Sequence, residues 1–383
     1  MPPITALTRR DVFRIGGISA SAGWFAPRAG RIEPRGTARF CIFFMLDGGP
    51  SHADAWDLKE GRWTPENFDV REIAPRIKWP LSLYPRLASQ FDKAALLRSV
   101  EARNSVHGQA QYYVQAAHAW NPALERESPP IGTIIAMEYA ARRRERDYLP
   151  AYVALNVTES QAGLLPSGFL PRCYSPCHID TFAAFDLKPE ERSRYGSSSA
   201  GDAALFARNL VEADAGTHFI FLQQSGWDHH KDIYHRGNHY QQSWDLDAAL
   251  SSLLDDLSRS KRAAGHSLLD ETLIVCMGEF GRTPGPLTGL QGRDHYPHAF
   301  TALFAGGGVR GGQAIGKTDE KGARIIDSGW GVKRSVFMED IAATIYSAMG
   351  IDWTKSIKAA PSGNEFHYVE PAMRPREISA LFG

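Results

Sequence analysis

Four short polar motifs in this 383-residue chain carry residue types able to bind a cation and split an ester. The first is Asp47-Gly48-Gly49-Pro50-Ser51-His52-Ala53-Asp54, a carboxylate followed by glycines that let the backbone turn closely. The second is Gly226-Trp227-Asp228-His229-His230, in which Asp228 and His230 can converge on one metal if the segment is a loop. Gly278-Glu279-Phe280-Gly281-Arg282-Thr283-Pro284 and Gly292-Arg293-Asp294-His295-Tyr296-Pro297 complete the set. Mixed carboxylate and imidazole ligands suit zinc, manganese, iron or another borderline divalent ion, whereas calcium uses oxygen almost alone. Arg282 and Arg293 could hold a phosphate or sulfate through bidentate guanidinium contacts. A bound metal lowers the pKa of a water or serine, and nearby cations stabilise developing charge. Together these are the equipment for ester hydrolysis.

Each motif alone has a plainer reading. Asp-Gly-Gly can be a turn, Asp228 a helix cap with His230 at the surface, and Glu279 a structural partner of Arg282 or Arg293. Their joint placement after successive apolar runs is what points to a shared site. The expected metal ligands are Asp47, Asp228, His230, Glu279, Asp294 and His295. A further element runs from Asn104, Ser105 and His107 into a helix. A helix N-terminus favours an anion or an activated nucleophile. Ser105, His107 or Asn104 could lie over the metal; the candidate nucleophiles are Ser51, Ser105 and His107, with Arg282 and Arg293 as catalytic cations, and the plainer reading of Ser105 is a helix cap.

The elements that must position these residues are legible in outline. Residues 38–46 (ARFCIFFML) form a continuous apolar run, as a buried parallel strand does. Residues 218–223, 272–277 and 300–305 are similar. Between them lie helical patterns at residues 105–120, 131–145, 244–264 and 339–349, the third with Leu246, Leu250, Leu253, Leu254 and Leu257 on one face. Such alternation predicts an α/β fold, a mostly parallel central sheet covered by helices on both faces. Ligands in such folds collect beyond the carboxyl ends of the strands, where the motifs stand. Residues 163–199, rich in Pro, Gly and Ser, read as irregular surface or a capping loop.

Composition narrows the partners. Hydrophobic residues make up 43% and charged residues 22%, and the formal net charge is zero, so nothing electrostatic recommends a nucleic acid. The basic run at residues 142–146 reads as the solvated end of a helix. No apolar stretch approaches the roughly 20 residues of a membrane span. Cys41 and Cys276 read as buried small hydrophobes. Cys173 and Cys177 could close a small disulfide loop in an oxidising compartment. At the N-terminus, Arg9-Arg10 precede a weakly apolar Gly/Ala/Ser-rich stretch at residues 15–26, like a twin-arginine export signal. Residues 1–34 are accordingly expected to be signal and linker, and residues 35–383 one domain.

The motifs TRRDVFRIGG, DGGPSHADAWD, LLRSVEARNSVHG, GLLPSGFLP, SGWDHH, GEFGRTP, GRDHYP and EDIAATIYSAMGID occur in this order from about Thr8 to the C-terminus. The set resembles a bacterial family of unknown function within the alkaline phosphatase and sulfatase superfamily, whose members often carry twin-arginine signals. The resemblance implies a three-layer, alkaline phosphatase-like sandwich with a one- or two-metal centre at the strand ends. Asp47 matches the first-strand carboxylate of that superfamily, Asp228 and His230 its mid-chain ligand pair, and His295 its final histidine. Glu279 falls where better-known members place an Asp-His pair, and Phe280 stands in place of that histidine. No Cys-x-Pro-x-Arg signature occurs, so a formylglycine mechanism is not implied. The expected function is hydrolysis of phosphate or sulfate esters of a small molecule or polysaccharide, outside the cytoplasm after twin-arginine export. The expected cofactor is zinc, with manganese, iron or calcium as alternatives, as one or two ions. The competing expectation is a non-catalytic protein that binds metal or an anionic polysaccharide.

Overall fold

The first apolar run forms strand β1 (Phe40–Leu46), buried along its whole length. Alternate residues of a strand face opposite sides, and here the two sets enter different cores. Cys41, Phe43 and Met45 pack into one; Phe40, Ile42, Phe44 and Leu46 pack into the other. Seven further strands complete the sheet: β2 (Ala94–Val100), β3 (Tyr152–Leu155), β4 (Cys177–Ile179), β5 (Phe219–Gln224), β6 (Thr272–Met277), β7 (Phe300–Ala305) and β8 (Gln313–Ile315). Their spatial order is β8-β2-β7-β6-β1-β5-β3-β4. Only β7 runs antiparallel to its neighbours; the other pairings are parallel.

Helices cover both faces. On the side of Phe43 lie α1 (His107–Ala116), α2 (Ile131–Ala140) and, near the C-terminus, a helix at Met338–Ala348. On the side of Phe44 lie α3 (Ser199–Ala213) and α4 (Gln241–Arg259), which press Leu205, Leu250 and Leu254 against the sheet. The result is the expected three-layer α/β sandwich. Strands β6, β1 and β5 are adjacent, parallel and central, so their carboxyl ends emerge side by side. Asp47, residues 225–230 and Glu279 follow those three ends directly.

The coordinates are a computed structural model and describe residues 32–157, 163–183, 185, 187–262, 265–358 and 360–383. The expected export signal lies outside the described residues. Among them, no helix is long and apolar enough to cross a membrane. Several boundaries differ from the sequence pattern. Helix α2 stops at Ala140, so the arginine run is not its solvated end: Arg144 and Arg146 instead pair with Asp214. Helix α1 starts at His107 rather than Ser105 and ends at Ala117, whose left-handed φ of 54° breaks the ladder. Residues 163–199 carry short pieces of order, including edge strand β4 and a helix at Pro189–Tyr195. All four cysteines are free thiols, Cys41 and Cys276 buried as expected, and Cys173 and Cys177 unbridged.

The two-core arrangement gives a direct stability expectation. Phe43 is buried and stacks on Phe221 with ring centroids 5.7 Å apart. Phe43→Ala should cost about 3–5 kcal/mol in chemical denaturation, whereas Ile326→Ala, at an exposed position, should stay within about 0.5 kcal/mol of the parent.

Candidate metal centre

Four side chains from three segments meet at the carboxyl end of the sheet. His107, Asp228, His230 and His295 each offer one ligand atom, and these atoms all lie within 4.8 Å of one another. Asp228 and His230 come from the loop after β5. His107 is the first residue of α1, and Gln111 one turn later lies on the same helix face. His295 stands in a two-residue ribbon, His295–Tyr296, paired with Gly281–Arg282.

Two glycines of the motifs permit this convergence. Gly48 has a φ of 109°, and a Cβ there would lie 2.5 Å from the backbone nitrogen of Asp228. A Cβ on Gly292 would lie 2.0 Å from the carbonyl carbon and oxygen of His230. Any side chain at either position would push the loops apart.

The far side of each imidazole fixes what its near side presents. Nδ1 of His107 is 2.6 Å from a carboxylate oxygen of Glu279, and Nδ1 of His230 is 3.0 Å from Asp294 Oδ1. Nδ1 of His295 is 2.6 Å from the backbone carbonyl of Ser105. A carbonyl or carboxylate oxygen can only accept, so each Nδ1 donates. In a neutral ring each Nε2 then carries a lone pair, and all three point inward. Nε2 of His230 faces Nε2 of His295 at 2.9 Å, and Asp228 Oδ1 lies 3.3, 3.0 and 3.4 Å from the Nε2 atoms of His107, His230 and His295. Nε2 of His107 is buried without a hydrogen-bond partner. Three lone pairs and a carboxylate gathered around one point repel one another unless a cation sits among them. The donor set, three imidazole nitrogens and one carboxylate oxygen, suits a borderline divalent ion, and the outer oxygens hold the rings as such sites require. These residues could hold a metal ion.

Comparison with known proteins places the chain. The sequence profile of the family described as "Protein of unknown function (DUF1501)" matches residues 38–192 and 182–381. The chain belongs to that family. No curated protein matches it significantly. Solved structures similar to it include a protein of the alkaline phosphatase superfamily from Vibrio parahaemolyticus, 11% identical, covering 91% of this chain and 76% of that one, with a TM-score of 0.45. The lipoteichoic acid synthase LtaP from Listeria monocytogenes is 11% identical over 97% of this chain and 85% of its own, also with a TM-score of 0.45. The C-terminal periplasmic domain of EptC from Escherichia coli is 10% identical over 91% and 90%, with a TM-score of 0.46.

Of the six residues expected as ligands in this family member, Asp228, His230 and His295 converge. The other three stand outside the converging set. Glu279 and Asp294 hold ligand rings in place, and Glu279 also accepts from the backbone N–H of Gly48 at 3.0 Å. Glu279 pairs with neither arginine. Asp47 is buried, its carboxylate held by the amides of Gln111 and Gln223. His107, expected as a nucleophile, supplies the fourth converging atom. Its signal was faint: a single histidine at a helix start, 121 residues from Asp228. Ser51 is buried. Ser105 contributes its carbonyl.

The two arginines are buried as well. Arg282 donates to the carbonyls of Gly48, Gly49 and Arg293 and to Asp228. Arg293 clamps Asp54 with two nitrogens and donates to the carbonyls of Thr283 and Gly285. Within Asp228-His229-His230 the buried member is His229, whose pKa burial lowers to about 3.

The crowding of like groups shows in their protonation equilibria. Burial alone would lower the pKa of His107, but Asp228 and Glu279 beside it hold it up at about 9. Burial would raise Asp228, yet His107, His295 and Arg282 hold it far below the ordinary carboxylate range. Burial, reinforced by Glu279, pushes Asp47 up to about 7. The two carboxylates beside His107 thus favour its protonated form at neutral pH.

Two measurements on metal uptake follow. Asp294→Ala and Glu279→Ala, each freeing one ligand ring, should weaken divalent-metal affinity about 10–100-fold by competition with a chromogenic chelator. A metal takes the neutral imidazole, so binding displaces the His107 proton. Affinity should rise about tenfold per pH unit towards about pH 9 and flatten above it. The metal-free protein should show the opposite trend. The folded pKa of His107 exceeds its unfolded value of 6.5, so this stabilisation is complete below pH 6.5 and is lost as pH rises through about 9.

Proposed function

We propose that this chain is an exported, metal-dependent hydrolase of phosphate or sulfate esters in which water is the nucleophile. The observation that carries the reading is the convergence of His107, His230, His295 and Asp228, two of which stay open to solvent. The side chains of Asp228 and His230 are 43% and 42% exposed, so an ester could approach the ion from that side. A divalent ion bound there would supply Lewis acidity, lowering the pKa of water and polarising an ester oxygen. Zinc is the first ion to test and manganese or iron the next, since calcium prefers an all-oxygen set.

The protein's own groups would divide the remaining work. Glu279, Asp294 and the Ser105 carbonyl orient the three rings, and Arg282 holds the loops at residues 48–49 and 293 against Asp228. Buried Asp47, with its carboxyl pKa raised to about 7, is a group that could move a proton at neutral pH. Ser51 is too buried to attack a substrate, and the Ser105 hydroxyl meets no base among the described residues. Export would follow from Arg9-Arg10, with residues 35–383 as the mature domain and a periplasmic or extracellular destination.

One observation favours a second reading. Four protein atoms already converge, the number that structural zinc sites use, which suits a non-catalytic protein that binds an anionic polysaccharide. Turnover separates the two. The metal-loaded mature chain should cleave aryl phosphates, phosphodiesters or aryl sulfates. Chelation and Asp228→Ala should each abolish that activity, and Ser105→Ala should spare it. A protein with one ion per chain and no turnover on any of these esters would exclude the hydrolase and leave the binding protein.

A further inference from the structure

Two arginines stand in the motifs of the metal cluster, and a doubly charged ester would need at least one of them. Neither is free. Arg293 is wholly buried, with Nε and Nη2 on Asp54, Nη1 on the carbonyls of Thr283 and Gly285, and Tyr234 beside it. Arg282 is 1% exposed, and each of its three nitrogens already donates to a carbonyl or to Asp228. Among the described residues, Arg282 is the one guanidinium or ammonium in contact with the four converging groups. It reaches Asp228 Oδ1, the oxygen that faces the three rings, and its Nη1 lies 3.4 Å from His230 Nε2.

The open side has the opposite character. Asp228 and Asp294 present half-exposed carboxylates there, the Asp294 side chain being 63% exposed, and Glu279 lies behind His107. A divalent ion and one guanidinium are thus matched by three carboxylates, before Asp47 is counted. The first negative charge of an ester can bind the ion. A second would find no further guanidinium or ammonium in contact with the four groups among the described residues, and Asp294, on the outer side of the His230 ring, adds like charge nearby.

We propose that the ester cleaved at this site carries a single negative charge, as a phosphodiester or a sulfate monoester does, and that the site disfavours the dianion of a phosphate monoester. The inference rests on the hydrolase reading and narrows its substrate. Phosphodiester and sulfate monoester share the chemistry that matters here, a monoanionic oxyanion with two oxygens able to meet the ion. One uncompensated like charge within several ångströms is worth about tenfold or more.

The test holds the leaving group constant and varies the charge. Metal-loaded protein is given p-nitrophenyl phosphate, methyl p-nitrophenyl phosphate and p-nitrophenyl sulfate at about pH 8, where the first is a dianion because its second pKa is about 6. At least one monoanion should exceed the dianion in kcat/KM by about tenfold, and the two monoanionic arms tell phosphorus from sulfur. Asp294→Asn keeps an acceptor for His230 Nδ1 and removes the charge, so it should raise the relative rate on p-nitrophenyl phosphate several-fold. Equal or faster turnover of the dianion would overturn the charge claim while leaving the hydrolase standing. If none of the three is cleaved, the hydrolase reading falls. Calorimetric binding of the same uncleaved esters then decides the charge claim on its own: a tighter monoanion sustains it, and a tighter or equal dianion overturns it. Metal-free protein supplies a further check. Millimolar inorganic phosphate should not raise its melting temperature, and a saturable rise would show that an arginine is available after all.

Discussion

Each of three imidazole rings in this protein is oriented by an oxygen on its outer side, and that orientation aims three lone pairs and a carboxylate at one point. Unlike an ordinary buried polar cluster, these groups cannot satisfy one another, because all of them accept. A cation or a captured proton would settle the arrangement, beside the hydrogen bonds that Arg282 brings to Asp228 and His230. The raised pKa of His107 and the depressed pKa of Asp228 are two consequences of that one constraint.

Much of the surrounding structure exists to keep the four groups close. Strands β6, β1 and β5 deliver three loops side by side, and α1 brings His107 in from above the sheet. Gly48 and Gly292 remove side chains that would hold those loops apart. Phe280 fills the space under the cluster, its ring centroid 4.8 Å from that of His107 and 4.7 Å from that of His295. Burying Arg282 and Arg293 costs desolvation, which is offset only because every nitrogen finds an acceptor. These arginines are therefore structural clamps. Losing one partner of the buried Arg293–Asp54 pair would be severely destabilising, about 3–5 kcal/mol.

The central strands were legible because they are buried on both faces and read as unbroken apolar runs: β6 and β7 match the sequence reading to the residue. Helix ends were less so, since the chain leaves α2 at Ala140 to satisfy Asp214, a partner more than sixty residues away. The motifs were found, but the division of labour within them was not. Asp228, His230 and His295 were expected as ligands and converge. Glu279 and Asp294 have the right chemistry to ligate, and nothing local reveals that a histidine stands between each of them and the centre. The role of His107 depends on Glu279, 172 residues later. The burial of Arg293 depends on Asp54, 239 residues earlier. Side-chain types announce a site, whereas long-range pairing decides which of them converge.

Membership of a family described only as of unknown function leaves the reaction to be argued from this geometry. A solvent-facing group of three imidazoles and one carboxylate that could hold an ion is compatible with hydrolysis, and the engagement of both motif arginines, Arg282 and Arg293, shapes what could be hydrolysed. The central claim is the ion itself. Crystals of the metal-loaded protein, measured on both sides of the zinc absorption edge, test it most directly. The account predicts one anomalous peak about 2.0–2.3 Å from Nε2 of His107, His230 and His295 and from a carboxylate oxygen of Asp228. A peak seated instead on Asp47 and Glu279, or no peak with the three rings unmoved, would contradict it.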